Sequence, residues 1–307
     1  MTSRRFIWHC RATPSRTARA VGAPFYVWDM SAEFQARVID DFVAEYAAGR
    51  TPNPCLRCNE SIKFEALLER AVALGFDAVC TGHYTQVRQG AHGPELHRAV
   101  DMGKDQSYVL GVLTSEQIAR SLFPLGDSTK DQVRAEAQQR GIAVAQKPDS
   151  HDICFIPDGD TAAWLAQRIQ TQPGDVLDAV TGQRVGVHCG AQAFTVGQRR
   201  GLALGNPSGD GQRRYVVDVD VTTNTVMVGP PTLLDIDVID GVHARWAGPV
   251  PQQGASVLVQ VRAHGSAVPG TVTVDGDRVR LDLAEQLRGV AAGQAAVMYD
   301  GTRVVGS

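Results

Sequence analysis

The hydrophobic pattern of this chain changes soon after Pro157. Before that point, apolar residues recur at helical spacing over residues 34–48 and 64–74, with short apolar runs between and around these segments. Alternating strand, helix and strand is typical of a parallel α/β sheet. From about residue 174, short β-branched runs separated by glycines predict antiparallel strands instead. The sequence therefore predicts an α/β domain followed by all-β structure.

Length and turn residues divide the chain further. A chain of 307 residues suggests two or three domains, and Gly229-Pro230-Pro231 marks a boundary. We predict an α/β catalytic domain over residues 1–157, a small central domain over 158–230 and a C-terminal β-barrel over 231–307. The first domain should contain strands at 23–29 and 78–82 and helices at 34–48, 64–74 and 129–140. The others should contain strands at 215–219, 225–228, 256–261, 270–274, 279–283 and 295–299.

The composition of the chain predicts where in the cell the protein is located, but it does not predict a function. No apolar run approaches the roughly 18 residues of a membrane helix, and residues 1–20 lack the apolar segment of a secretory signal. We therefore predict no membrane partner. Six cysteines without a secretion signal indicate a reducing compartment, and we predict a cytoplasmic protein. The net charge of −3 does not by itself predict an RNA partner, although a local basic patch is compatible with it.

Two cysteine-bearing stretches, residues 51–59 and 147–157, combine thiols with prolines and polar residues. Proline fixes its own φ and restricts the preceding residue, so both stretches are predicted to be rigid loops. A thiol beside Arg or Lys can become a thiolate, the reactive form. Arg57 and Lys63 flank Cys58, and Lys147 precedes Cys154. The pattern thus favours reactive cysteines on two separate loops.

The Cys55-x-x-Cys58 pair leaves several interpretations open. A structural zinc site needs four ligands, and the chain has no second pair at this spacing, so we predict no metal site. A thioredoxin-like redox pair is an alternative, although such pairs usually open a helix and lack a Pro-Asn-Pro entry. The remaining alternative is a pair of inert thiols. Cys80 lies in an apolar run and is predicted to be part of the core.

Five motifs, in order along the chain from about residue 21, carry a resemblance to a known family. The motifs are Thr51-Pro52-Asn53-Pro54 with Cys58-Asn59 and Ile62-Lys63-Phe64; Thr81-Gly82-His83-Tyr84; Lys104-Asp105-Gln106-Ser107-Tyr108; Asp152-Ile153-Cys154-Phe155; and Phe194-Thr195-Val196-Gly197-Gln198-Arg199-Arg200-Gly201-Leu202. With these motifs, the chain resembles the tRNA-specific 2-thiouridylases.

The resemblance implies a fold and residue roles. The fold is a PP-loop ATPase-like nucleotide-binding domain, then a small central domain and a β-barrel. Cys58 matches the first catalytic cysteine, Cys154 matches the cysteine that carries sulfur as a persulfide, and Gly82 matches an ATP-contacting position. The residues that match tRNA-contacting positions are Asn53, Pro54, Cys55, His83, Lys104, Asp105, Gln106, Arg262, His264 and Gln294.

The implied reaction is ATP-dependent 2-thiolation of the wobble uridine of tRNA, with Mg²⁺ accompanying ATP. Adenylation turns the C2 oxygen into a leaving group, and the persulfide then supplies sulfur. The implied partners are tRNA and a sulfur-donor protein, either a cysteine desulfurase or a sulfur relay. A disulfide between Cys55 and Cys58 would be an inactive state. The target base must also leave its stack to enter a pocket.

One family motif, a phosphate-binding loop of the type Ser-Gly-Gly-x-Asp-Ser, is absent from these 307 residues. Such a loop offers backbone N–H groups to pyrophosphate. We therefore expect an α/β domain that is truncated at its N-terminus and poorly stable alone. Two alternatives follow: a non-catalytic tRNA-binding remnant, and a dithiol redox protein built on Cys55 and Cys58.

Overall fold

The computed structural model describes residues 18–19, 22–142, 153–202, 204 and 211–307. Its first large element is one continuous helix made of α1 (Ser31–Phe34), a π-helical segment (Gln35–Ile39) and α2 (Asp40–Ala47). Val38, Phe42 and Tyr46, four residues apart, form its buried face. The predicted helix at 34–48 is therefore confirmed, with a start three residues earlier.

A second composite helix lies against the first. It consists of α3 (Pro54–Arg57), a π-helical segment (Cys58–Ala66) and α4 (Leu67–Ala73). The predicted helix at 64–74 is only its second half. Because the helix begins at Pro54, the first cysteine stretch is helical from that residue onward, and the prediction of a rigid loop there is wrong.

The parallel sheet is small in the described residues. Strands β1 (Val79–Cys80) and β4 (Ser121–Leu122) pair in parallel, with Val79 opposite Ser121. Val79 is buried and Cys80 faces outward, so the prediction that Cys80 is a core residue is wrong. The predicted strand at 23–29 is also wrong, since no described strand pairs with this segment to satisfy its backbone groups.

The largest sheet has eight strands in the order β2-β3-β14-β13-β10-β11-β12-β9. The hairpin of β2 (Thr85–Gly90) and β3 (Gly93–Arg98) comes from the first third of the chain and pairs with β14 through His97 and Arg303. The remaining strands are β9 (Asp235–Gly241), β10 (Ala255–Gln260), β11 (Val268–Asp275), β12 (Arg278–Arg288), β13 (Val297–Asp300) and β14 (Arg303–Gly306). The C-terminal sheet thus incorporates a hairpin that follows the parallel strand β1.

The central part of the chain is a four-stranded sheet in the order β6-β5-β8-β7. Its strands are β5 (Gly174–Asp178), β6 (Arg184–His188), β7 (Tyr215–Asp220) and β8 (Thr225–Gly229). Val176, Val216, Val226 and Val228 are completely buried between the sheet and its loops. The predicted strands at 215–219 and 225–228 are confirmed.

Three further α-helices lie between β3 and β5 in the described residues. They are α5 (Ser115–Ala119), α6 (Lys130–Gln139) and α7 (Thr161–Ala166). Thr129 caps α6 in a capping box with Gln132, which explains why the predicted helix at 129–140 has nearly the observed bounds. None of the helices in the described segments is long and apolar enough to cross a membrane.

Thr51, in the first part of the chain, contacts both the central and the C-terminal part. Its N–H donates to Ala292 O at 2.7 Å, in the C-terminal part, and its hydroxyl lies 3.2 Å from that of Thr195, in the central part. A Cβ added to Gly293 would come within 3.0 Å of the backbone nitrogen of Thr51, so only glycine allows this approach. The entry to the Cys58 helix is therefore fixed from two sides.

Candidate active site

Asn53 and Pro54 start the helix that carries two of the thiols. The Asn53 side chain accepts a hydrogen bond from the N–H of Cys55 at 3.0 Å, and Pro54 occupies the first helical position. Asparagine as a cap and proline at the first position are the residues that favour a helix start. The Asn-Pro pair was thus a helix signal that the loop interpretation overlooked. Cys55 and Cys58 lie one turn apart at this start.

Asn59, next to Cys58, is buried and anchors the π-helical segment. Its side-chain amide donates to Val109 O at 2.7 Å, while its carbonyl oxygen has no partner among the described groups. Buried polar atoms are usually paired, and the exceptions often mark functional positions. π-Helical turns are likewise common at functional sites. The sequence analysis did not single out Asn59 for a role of its own.

An aromatic cluster fixes the loop that carries Cys154. Phe155, the next residue, is 6% exposed. Its ring lies 5.4 Å from that of Phe42, 5.3 Å from that of Trp164 and 6.0 Å from that of Phe34, measured between centroids. Cys58 packs against the same cluster. The anchor therefore brings the Cys154 loop onto the Cys58 helix, although the two cysteines are far apart in sequence. Lys147 falls outside the described residues.

The thiols of this region are neutral in the structure. Desolvation raises the pKa of Cys58 to about 11, and it also raises the pKa of Cys55 and Cys154. The nearby thiol of Cys154 adds to the increase at Cys58, and Lys63 opposes it. Cys55 and Cys154 nevertheless keep exposed surface through which a reactant can reach them. The neighbouring basic residues therefore do not by themselves lower the pKa of these thiols below its ordinary value.

Arg57 does not act on the thiols as its position in the sequence suggested. Its guanidinium forms ion pairs with Asp41 at 3.2 Å and Glu60 at 2.9 Å. Its charge is therefore offset by two carboxylates. Of the two cations that flank Cys58, only Lys63 lowers the pKa of the thiols.

His83 connects the end of β1 to Lys63. Its Nδ1 lies 2.7 Å from the hydroxyl of Thr81, and its Nε2 lies 3.5 Å from Lys63 Nζ. Burial, followed by the charge of Lys63, lowers the pKa of His83 to about 3. The ring is therefore neutral. The ammonium group can only donate, so Nε2 accepts from Lys63 and Nδ1–H donates to Thr81.

Gly82 lies immediately beyond the carboxyl end of β1, where ligands bind in parallel α/β sheets. It is exposed, and an added Cβ would meet only Leu125, at 3.7 Å. This is an ordinary van der Waals distance. The protein's own packing therefore does not require glycine here, and the space beside it is open to a ligand.

The segment of Lys104, Asp105 and Gln106 combines one inward side chain with two accessible ones. The Asp105 carboxylate pairs with Arg98 at 3.1 Å and also accepts from Ala99 N–H and from the N–H and hydroxyl of Ser107. It thereby ties the segment to β3. The exposed Gln106 holds Tyr84 through two hydrogen bonds, and Lys104 is half-buried. The carboxylate of Asp105 is thus committed to internal partners.

The three predicted barrel contacts differ in exposure, and Gln294 follows Gly293, which approaches Thr51. Arg262 and His264 are exposed, and the Arg262 guanidinium donates to Gly289 O. Gln294 is half-buried, and its side-chain oxygen is buried without a partner among the described groups. Gly289 also approaches Gly197, so the Gln198-Arg199-Arg200 loop lies beside Arg262.

Three family models together match almost the whole chain. They are described as a tRNA methyl transferase HUP domain (residues 10–158), a tRNA methyl transferase PRC-barrel domain (162–230) and an aminomethyltransferase beta-barrel domain (237–307). These descriptions agree with an α/β domain followed by two β domains. The chemistry that they name is methyl transfer, for which the cluster of thiols gives no direct reason.

Curated relatives decide between the two chemistries. The tRNA-specific 2-thiouridylase MnmA of Acidothermus cellulolyticus is 58% identical over 95% of this chain and 80% of its own length. The proteins of the same name from Salinispora tropica and Streptomyces coelicolor are 61% identical (94% of this chain, 81% of theirs) and 54% identical (97% and 81%). The chain belongs to the tRNA-specific 2-thiouridylase family. Its members are enzymes that transfer sulfur.

Membership of the thiouridylase family is consistent with the free thiols of the site. All five cysteines in the described segments are free: Cys55, Cys58, Cys80, Cys154 and Cys189. The predicted Cys55–Cys58 disulfide is therefore not formed in this structure. Cys10 lies outside the described residues. Over the same segments, no group of three or more His, Cys, Asp or Glu residues could hold a metal ion.

Proposed function

We propose that this chain transfers sulfur to C2 of a uridine in tRNA, with Cys154 as the persulfide carrier and Cys58 as the resolving thiol. One observation carries the proposal: the aromatic anchor at Phe155 brings Cys154 onto the face of the Cys58 helix, close enough for the Cys154 thiol to raise the pKa of Cys58. Sulfur transfer from a persulfide needs such a second thiol within reach.

A site for ATP is supported by the open space beside Gly82. Glycine at the carboxyl end of a parallel strand allows a nucleotide to approach the backbone closely. Bound ATP, with Mg²⁺, would supply the adenylation that turns the uridine C2 oxygen into a leaving group. His83, the next residue, is neutral and contacts both Thr81 and Lys63. The division into domains at residues 157 and 230 remains part of the proposal.

The roles of the thiols follow from bond-making at sulfur. The terminal sulfur of the Cys154 persulfide attacks C2, and the C2–O bond to the leaving group breaks. The Cys58 thiolate then attacks Sγ of Cys154. A Cys58–Cys154 disulfide forms, the bond between Sγ and the transferred sulfur breaks, and the electron pair remains on the sulfur now bound to C2. Both cysteines must afterwards be reduced by an external thiol.

The partners follow from the same chemistry. The tRNA would lie over Asn53, Pro54 and Cys55 at the helix start, with further contacts from His83 and the segment of Lys104, Asp105 and Gln106. Arg262, His264 and Gln294 would extend this surface into the barrel. A sulfur-donor protein must load Cys154, which is exposed enough to receive sulfur. Thiols that must be reduced in each cycle favour the cytoplasm as the compartment.

An assay of the product tests the proposal. The protein is incubated with a tRNA transcript, ATP, Mg²⁺ and a persulfide donor, and 2-thiouridine is detected as tRNA retarded in a mercury-containing gel. We expect retardation that depends on ATP and on the donor. A tRNA-binding remnant would bind the transcript without thiolating it. A dithiol redox protein would reduce disulfides without ATP or RNA, and either result would contradict the proposal.

A further inference from the structure

Lys63 is a described lysine whose charge lowers the pKa of all three thiols of the site. It lies on the π-helical segment that begins at Cys58 and is half-buried, with Nζ 3.5 Å from Nε2 of His83. The nitrogen of a neutral imidazole is a weak acceptor, not a counter-ion. Within the described part of the chain, Lys63 forms no ion pair with a carboxylate.

The π-helical segment explains how Lys63 comes to act on Cys58, five residues earlier. In an α-helix of 3.6 residues per turn, residues five apart point about 140° away from each other. The wider π turn joins residue i to residue i+5 and brings them towards one face. Phe64, completely buried, and its contact with His83 at 6.1 Å between ring centroids hold the next position in place. The helix geometry thus turns Lys63 towards the thiols.

The other described cation beside Cys58, Arg57, is already compensated. Arg57 is paired with Asp41 and Glu60, and Glu60 also accepts from Arg245 at 3.3 Å. His83 is neutral. Among the described residues, Lys63 is the cation whose charge lowers the pKa of Cys55, Cys58 and Cys154, against the increase that desolvation causes. Its charge is therefore available where each thiolate would form.

We propose that Lys63 is a positioning residue that stabilises the thiolates of Cys58 and Cys154, with the Thr81–His83 pair directing its ammonium group. The proposal rests on the proposed function for its purpose, since sulfur transfer needs both thiols to ionise in turn. Deprotonation of either thiol then places a negative charge beside a fixed positive one, and the proton passes to solvent.

Alkylation kinetics test this role without tRNA, ATP or sulfur donor. The reduced protein is treated with iodoacetamide between about pH 7 and 10, and the rate at each cysteine is read by peptide mass spectrometry. Loss of the Lys63 charge raises the pKa of the thiols, so we expect Lys63→Gln to alkylate roughly three- to tenfold more slowly at Cys58 and Cys154 at about pH 8. Lys63→Arg should restore the wild-type rate to within about twofold.

A matched control variant shows whether slower alkylation comes from loss of the charge at Lys63 or from the change in the net charge of the protein. Arg70→Gln removes the same charge from α4 of the same composite helix, where Arg70 lies 5.9 Å from the Trp28 ring. It should leave both rates unchanged. Equal slowing by Arg70→Gln, or wild-type rates in Lys63→Gln, would overturn the proposal. If Lys63→Gln does not melt cooperatively, Lys63→Met, which keeps the apolar stem, carries the same test.

The alkylation experiment tests the role of Lys63 separately from the proposed sulfur transfer. A protein that forms no 2-thiouridine but shows Lys63-dependent alkylation would refute sulfur transfer and leave the electrostatic role standing. A protein that thiolates tRNA while Lys63→Gln alkylates normally would refute only the role of Lys63.

Discussion

Replacing Cys154 by serine is expected to abolish the formation of 2-thiouridine, with a loss of at least about 10³-fold in rate. A hydroxyl cannot form a persulfide, so no sulfur can be carried to the base. Cys154 is also the thiol that combines an exposed surface with a buried anchor at the next residue. The measurement is the fraction of tRNA retarded in a mercury-containing gel over time, with ATP and a persulfide donor in excess.

Cys189 provides a matched control for this experiment. It is also an exposed free cysteine, but it follows β6 in the central sheet. Cys189→Ser should therefore thiolate tRNA at the wild-type rate. Substantial 2-thiouridine formation by Cys154→Ser would exclude Cys154 as the carrier, and an equal loss in Cys189→Ser would show that the assay reports general damage to thiols.

Phe155→Ala is expected to destabilise the protein by about 3–5 kcal/mol, the usual cost of removing a buried aromatic ring. The ring contacts Phe34, Phe42 and Trp164, which belong to two different helical elements, and the surrounding aromatic rings cannot collapse fully into the space it leaves. The free energy of unfolding is measured by urea denaturation of wild type and variant. Because the same ring anchors Cys154, thiolation should also fall, by at least about tenfold at a temperature where the variant remains folded.

Phe76→Ala is the corresponding control, because the substitution is identical and Phe76 is 55% exposed. It should change the free energy of unfolding by less than about 0.5 kcal/mol. A similar small change in Phe155→Ala would mean that the aromatic cluster does not hold the loop, and the placement of Cys154 beside Cys58 would lose its physical basis.

Local patterns predicted the β half of the molecule well. The strands at 215–219, 225–228, 256–261 and 270–274 were found close to their predicted bounds, and the strand predicted at 279–283 extends further, over Arg278–Arg288. In these segments, β-branched residues alternate and glycines mark the turns, so local and tertiary preferences agree. The capping residues of α6 gave a similarly local signal.

The errors arose where tertiary pairing or helix register decided the structure. The segment at 23–29 has strand composition, but among the described residues nothing pairs with it. The attachment of the β2–β3 hairpin to β14 depends on the long-range pairing of His97 with Arg303, which no local pattern contains. A π-helical turn is one residue wider than an α-helical turn, and the spacing of the hydrophobic residues does not show this difference.

For the candidate site, the sequence provided the residue types but not their charge state. The proximity of Lys63 and Arg57 to Cys58 in sequence suggested thiolates, whereas desolvation dominates and Arg57 is paired with Asp41 and Glu60. The contact between His83 and Lys63 joins two motifs that are separate in sequence. Such couplings depend on how elements pack, so only the structure could provide them.

The most direct test of the proposed sulfur transfer is to identify the bond left after one turnover. The protein, loaded with a persulfide in the absence of other reductant, is mixed with tRNA and ATP, quenched with an alkylating agent and digested for peptide mass spectrometry. We predict a disulfide between Cys58 and Cys154, formed in a one-to-one ratio with 2-thiouridine. A disulfide between Cys55 and Cys58 instead, or 2-thiouridine with Cys58 and Cys154 both free, would contradict the assigned roles.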